Sequence, residues 1–144
     1  MTTLSSETLH ASCVAIDGRG VLIEGPSGAG KSDLALRLID RGAVLVSDDY
    51  TILHRQAKTL VAMAPATIEG KMEVRGLGIL DFPTAPRAPI ALVVSLTTEV
   101  ERYPLDSPTR RIIGFEVPVI LLDPRPASAA IKVELALRRL GPPA

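Results

Sequence analysis

Residues 25–32 read Gly25-Pro26-Ser27-Gly28-Ala29-Gly30-Lys31-Ser32, which matches G-x-x-x-x-G-K-[ST] at every fixed position. No other stretch restricts the chain as much, because the glycines exclude regular structure and the pattern works only between a strand and a helix. Both neighbours are present. Val21-Leu22-Ile23-Glu24 is a short apolar run. Residues 31–41 then place Leu34, Leu38 and either Ala35 or Ile39 on one helical face, and Gly42 stands where a helix end favours a positive φ. In such a loop successive backbone N–H groups turn inward toward phosphate oxygens, and the helix N-terminus adds its positive end. Lys31 would reach the β and γ phosphates, and the Ser32 hydroxyl would be a Mg²⁺ ligand. With glycine near 7% of ordinary sequence, the bare pattern arises by chance in roughly one chain in two hundred of this length. The flanking strand and helix make Gly25, Pro26, Ser27, Gly28, Ala29, Gly30, Lys31 and Ser32 the expected nucleotide-binding residues.

Around this loop the pattern predicts an α/β single domain with a central mixed sheet and few helices, its core over about 8–140 between short flexible termini. Residues 9–16 and 21–24 read as a hairpin across Asp17-Gly18-Arg19-Gly20. Val44-Leu45-Val46 reads as a buried strand ending at Ser47-Asp48-Asp49, and a place beside the phosphate-loop strand would bring that end to the phosphates. Residues 50–54 and 60–63 suggest a second hairpin. Residues 65–81 are irregular, 82–89 hold three prolines and read as a loop, and 90–96 is the longest buried-strand pattern. Residues 97–108 form a polar surface loop, longer than loops without function usually are. Strands at 110–113 and 117–122, a turn at 123–126 and a helix over 127–140 carrying Ile131 and Leu135 complete the chain before its tail.

Composition narrows the function classes. The chain has 144 residues, Lys+Arg 16 against Asp+Glu 16, and 3% aromatic residues. One domain of this size buries roughly 70% of its extended surface without metal or disulfide staples. Zero net charge argues against a general nucleic-acid or anionic-membrane binder, and Tyr50, Phe82, Tyr103 and Phe115 are too few for base-stacking sheets. The single Cys13 excludes an internal disulfide framework and multi-cysteine zinc sites. Residues 1–7 lack the basic and apolar regions of a secretory signal, and no apolar run nears the roughly 20 residues of a membrane span. The expectation is a soluble cytoplasmic protein with no nucleic-acid or membrane partner.

Two adjacent carboxylates at a phosphate site suggest divided labour: Asp48 on Mg²⁺, Asp49 taking a proton from an incoming hydroxyl. Asp123, at the end of the run Ile120-Leu121-Leu122, is a competing metal candidate, although Pro124 favours a plain turn there. His10 lies near the phosphate-loop strand if the first hairpin forms. Its imidazole can share a proton with a nearby aspartate, and an ordinary edge-strand residue explains it as simply. His54 has no motif around it. In Glu73-Val74-Arg75-Gly76-Leu77-Gly78-Ile79-Leu80-Asp81 the glycines admit close backbone approach, with Glu73 available to a metal and Arg75 to a phosphate or an ion pair, and an ordinary glycine-containing strand and turn explains the stretch as simply. Arg102 in the long loop is either a mobile phosphate-neutralising arginine or a solvated one.

Taken together, His10 about twenty residues before Lys31, the phosphate loop, the Asp48-Asp49 strand end and the E-x-R-G-L-G-I signature at 73–79 resemble the catalytic domain of HPr kinase/phosphorylase. The resemblance runs over about 10–140. It implies a fold of the HPr kinase / phosphoenolpyruvate carboxykinase type, ATP and Mg²⁺ as cofactors, and an HPr-like phosphocarrier of the bacterial phosphotransferase system as protein substrate, and it admits a homo-oligomer. It also implies Asp49, His10, Lys31 and Arg102 as catalytic residues, and Ser32, Glu73 and Asp48 as metal ligands. The chain begins shortly before the catalytic part, as in a short stand-alone form. It reads Pro124-Arg125-Pro126-Ala127-Ser128 where the family has an Arg-Pro-Gly-Arg-Asn-like run linked to the reverse, phosphorylase reaction, and Phe82-Pro83-Thr84-Ala85-Pro86-Arg87 after the signature. A serine kinase of the carrier is thus expected, with a small-molecule P-loop kinase or a nucleotide-binding regulatory module as alternatives.

Overall fold

The strand before the phosphate loop is apolar at every interior position, which requires cover on both of its faces. A computed structural model, which describes residues 5–142, provides that cover. In chain order the elements are β1 (Ser6–Leu9), β2 (Ala11–Ile16), β3 (Arg19–Glu24), α1 (Lys31–Asp40), β4 (Val44–Ser47), β5 (Thr51–Gln56), β6 (Thr59–Met63), β7 (Lys71–Val74), β8 (Gly78–Asp81), β9 (Ala88–Leu96), β10 (Thr109–Ile112), β11 (Phe115–Leu122) and α2 (Ala129–Leu140). Of the short termini expected outside about 8–140, residues 1–4 and 143–144 lie outside the described residues. No helix among those described is long and apolar enough to cross a membrane.

Nine strands share one mixed, curled sheet in the order β1-β5-β6-β9-β3-β2-β4, with β11 paired to β9 and β10 to β11. Strand β9 is long enough for three partners. Its first residues pair with β6, its later ones with β11, and β3 runs parallel along the other edge. Alternation sorts the side chains onto two faces. Val21, Ile23, Leu45, Leu92 and Val94 pack with Leu34, Ala35 and Leu38 of α1 and with Ala130, Val133 and Leu137 of α2. Leu22, Cys13, Val46 and Val93 pack on the other face with Leu53, Leu60, Ala62, Ile112 and Val117, so that curled strands replace helices there. Each large aliphatic side chain buried this way contributes about 1.5–3 kcal/mol.

Several expectations need correction. The first apolar run is broken at His10, where the chain leaves its partner β5 and begins pairing with β3 and β4. Strand β4 does not lie beside β3, because β2 intervenes, antiparallel to both. Both β3 and β4 therefore end at the same edge, and Asp48-Asp49 still reaches the phosphate loop. Within residues 65–81, where the pattern is irregular, 71–81 form the small hairpin β7–β8, which is the strand and turn open for the 73–81 stretch. The 82–89 loop gives its last two residues to β9, where Pro89 sits at the strand's beginning and is tolerated. In α2 the buried stripe is Ala129, Ala130, Val133 and Leu137, which turns Ile131 and Leu135 outward.

Candidate active site

The phosphate loop links β3 to α1 in a tight bend. Gly28 and Gly30 have φ of 81° and 102°, values that side-chain-bearing residues adopt only with strain. Gly25 is needed for space instead: a Cβ there would stand 3.1 Å from Leu96 Cβ and 3.3 Å from Ala29 Cβ. The N–H of Ala29 donates to Pro26 O at 3.0 Å and closes the turn. Lys31 begins α1 and is buried, its Nζ donating to Gly25 O at 2.8 Å and Pro26 O at 3.0 Å. The ammonium is thus fixed over the loop by the loop's own carbonyls.

Asp48 and Asp49 face the loop from the end of β4 and have different surroundings. Asp48 is buried and receives the Ser32 hydroxyl at 2.6 Å and the Ser12 hydroxyl at 2.9 Å, both on Oδ1. The backbone N–H of Glu73 approaches its Oδ2 at 3.4 Å. Asp49 is exposed, and its Oδ1 receives His10 Nε2 at 2.8 Å. The His10 ring stacks on Tyr50 with centroids 5.0 Å apart. Asp49 sits at φ 70°, a left-handed conformation that aspartate tolerates better than most residues. Three hydrogen bonds hold it there: Tyr50 N–H to Asp48 O at 2.8 Å, Asp49 N–H to Ser12 Oγ at 3.2 Å, and the Ser47 hydroxyl to Tyr50 O. Positive φ held in place by such a network clusters at functional sites.

A cleft of about 560 Å³ opens between these groups, bounded by Ser27, Gly28, Gly30, Lys31 and Ser32 on one side and by His10, Asp49, Glu73 and Arg75 on the other. Of the residues expected in the site, His10, Lys31, Ser32, Asp48, Asp49 and Glu73 come together. Arg102 does not: it lies on the exposed 97–108 loop, away from the cleft lining. Asp123 is engaged elsewhere. Its carboxylate takes Nε and Nη2 of Arg125 at 3.0 and 2.8 Å, and this pairing lowers its pKa to about 2.

Ser12 and Tyr50 belong to the site although the motifs did not flag them. Ser12 had one sequence signal, a hydroxyl inside the apolar run Ala11–Ile16, two residues after His10.

The oxygen donors suit a magnesium ion. Among the described residues no three His, Cys, Asp or Glu side chains converge as a self-sufficient metal cage. Mg²⁺ typically takes one or two carboxylates and completes its shell with phosphate oxygens and water. Ser32 and Asp48, in contact beside the phosphate loop with Glu73 at the rim, are a donor set of that kind.

A phosphate loop at the carboxyl edge of parallel strands, facing an aspartate pair, defines a P-loop kinase fold. The family model for the HPr serine kinase C-terminal domain matches residues 2–139. The chain belongs to the HPr kinase C-terminal domain family. Proteins named HPr kinase/phosphorylase are similar to it: that of Chlorobium phaeobacteroides (strain DSM 266) is 39% identical over 127 residues, covering 78% of this chain and 39% of that protein. That of Caldicellulosiruptor bescii is 39% identical over 143 residues, covering 90% and 46%. The chain therefore spans less than half the length of these relatives. Among solved structures, the Hpr(Ser) kinase/phosphatase from Coxiella burnetii superposes with a TM-score of 0.81 at 33% identity, covering 92% of this chain and 89% of that one.

Proposed function

We propose that this chain carries the catalytic unit of an ATP- and Mg²⁺-dependent cytoplasmic kinase that phosphorylates a serine of HPr or an HPr-like phosphocarrier. The observation that carries this reading is the pairing of Asp49 with His10 at 2.8 Å, opposite the phosphate loop across one cleft. The loop amides and Lys31 bind and orient the triphosphate, which leaves its terminal phosphoryl group facing Asp49. Asp49 accepts the proton of the serine hydroxyl as its oxygen attacks phosphorus, and His10 fixes the carboxylate's direction. Ser32, Asp48 and Glu73 would hold Mg²⁺, which would supply charge neutralisation on the phosphate oxygens. In the strict reverse, an ADP oxygen would take the phosphoryl group back as the serine O–P bond breaks, and the same Asp49 would return the proton to the departing serine oxygen.

The test incubates the protein with labelled ATP, Mg²⁺ and an HPr-like protein, comparing wild type with Asp49→Asn. Label on a carrier serine that disappears in the variant supports the proposal. Tight ATP binding without transfer overturns it in favour of a regulatory module, and label on a metabolite favours a small-molecule kinase.

A further inference from the structure

Strands β3, β9 and β11 run parallel, so their carboxyl ends lie along one edge. Ligands of such sheets settle in the crevice outside those ends. The phosphate cleft occupies only the side toward β4. A second cleft, of about 420 Å³, opens on the other side of the phosphate loop and shares Gly30 and Asp33 with the first. At the junction Pro124 Cγ lies 3.7 Å from where a Cβ on Gly30 would stand.

The walls of this second cleft are apolar at Ala29, Pro124 and Ala127, with the guanidinium of Arg125 beside them. Both halves of the wall are held in place. Arg37 of α1 donates to Pro124 O at 2.7 Å and Pro126 O at 3.3 Å, tying the loop after β11 to the helix after the phosphate loop. Asp123 grips Arg125 through Nε and Nη2 and also takes its backbone N–H at 3.0 Å. A planar cation pinned at one edge still offers its face to an aromatic ring.

We infer that this second cleft seats the nucleoside of the triphosphate, its aromatic base against Arg125 and between Pro124 and Ala127. The inference rests on the proposed function, which turns the terminal phosphate toward Asp49. The ester end then points away from Asp49, past Gly30, where the second cleft begins. It also accounts for the Asp123-Pro124-Arg125-Pro126 segment, which the phosphoryl-transfer machinery does not use.

The test is calorimetric titration of the intact chain, in Mg²⁺, with ATP and with inorganic tripolyphosphate. Two exposed positions are changed separately: Arg125→Ala, removing the cation, and Ala127→Trp, filling the cleft. ATP affinity is expected to fall about tenfold in each, the scale of one stacked cation contact, with tripolyphosphate binding unchanged. ATP binding at wild-type strength in both variants overturns the nucleoside seat, as does an equal loss of ATP and tripolyphosphate. Wild-type protein that binds the two ligands equally well overturns the seat and leaves the phosphate site standing. Wild-type protein that binds neither removes the proposed function and this inference together.

Discussion

Asp49 and His10 are 39 residues apart in the chain, yet Oδ1 of the first and Nε2 of the second are 2.8 Å apart. A carboxylate so oriented is equipped to take a proton. Asp49→Asn keeps the shape and removes the basicity, so phosphoryl transfer is expected to fall by about 10²–10⁴ while ATP affinity stays at the wild-type level. Single-turnover transfer assays beside ATP titration separate the two effects.

Ser12 joins the two aspartates, giving its proton to Asp48 and accepting the N–H of Asp49. Ser12→Ala takes a donor from the buried Asp48 carboxylate and leaves the part-buried Asp49 N–H without its partner, and is expected to cost about 1–3 kcal/mol of stability. It also releases Asp49 from its positive φ, so kcat should drop more than KM rises. Ser12→Thr keeps the hydroxyl and is expected to restore most of kcat. Equal losses in Ala and Thr would show that the strand, and not the hydroxyl, matters.

Gly30→Ala isolates backbone strain. Space exists for the methyl group, since its nearest neighbour is Pro124 Cγ at 3.7 Å, but φ of 102° is unfavourable for alanine. The substitution is expected to destabilise the fold by about 1–3 kcal/mol or to distort the loop and weaken ATP binding. Denaturant unfolding with and without ATP reads both. A variant as stable and as tightly binding as wild type contradicts the loop geometry.

Cys13 is wholly buried between the sheet and its covering strands, and desolvation raises its thiol from 9.0 to about 12. Its raised pKa makes the thiol a proton holder in the folded state. The stability it contributes is present below about pH 9 and is lost as pH rises toward 12. Cys13→Ser or Cys13→Ala should flatten that alkaline decline, and thiol reagents at neutral pH should label the unfolded chain far faster than the folded one.

Much of this site could be read from sequence because its pieces are contiguous. The phosphate loop, the turn at Gly42 and the Asp48-Asp49 strand end each declare themselves over a few residues. What could not be read depends on pairing. Nothing local says that β2 separates β3 from β4, because an apolar strand carries no mark of its neighbour. The break at His10 was hidden for the same reason, since it marks a change of partners within one polar-to-apolar run. In α2, Ile131 and Leu135 keep a helical spacing, but the narrow space beside α1 takes the smaller Ala129, Ala130 and Val133. Asp123 had the form of a metal ligand, and only the folded chain shows Arg125 occupying it.

Glu73 is carried by a different sheet from Asp48. The hairpin β7–β8 is a separate pair of strands, and such a pair is marginal in water by itself. Its main hold on the core is Met72, 1% exposed and packed with the side chains under α1, while Leu77 and Ile79 at its far end are exposed. Glu73 and Asp48 therefore sit on two separately paired units, for which unequal opening free energies are expected. Amide hydrogens of residues 71–81 should exchange by local unfolding, well before those of β3 and β9, and Met72→Ala should widen that gap. Met72, with Val74 and Phe82 packed beside it, thus ties the rim of the cleft to the platform beneath, and loosening that tie is expected to open the rim while the platform stays folded.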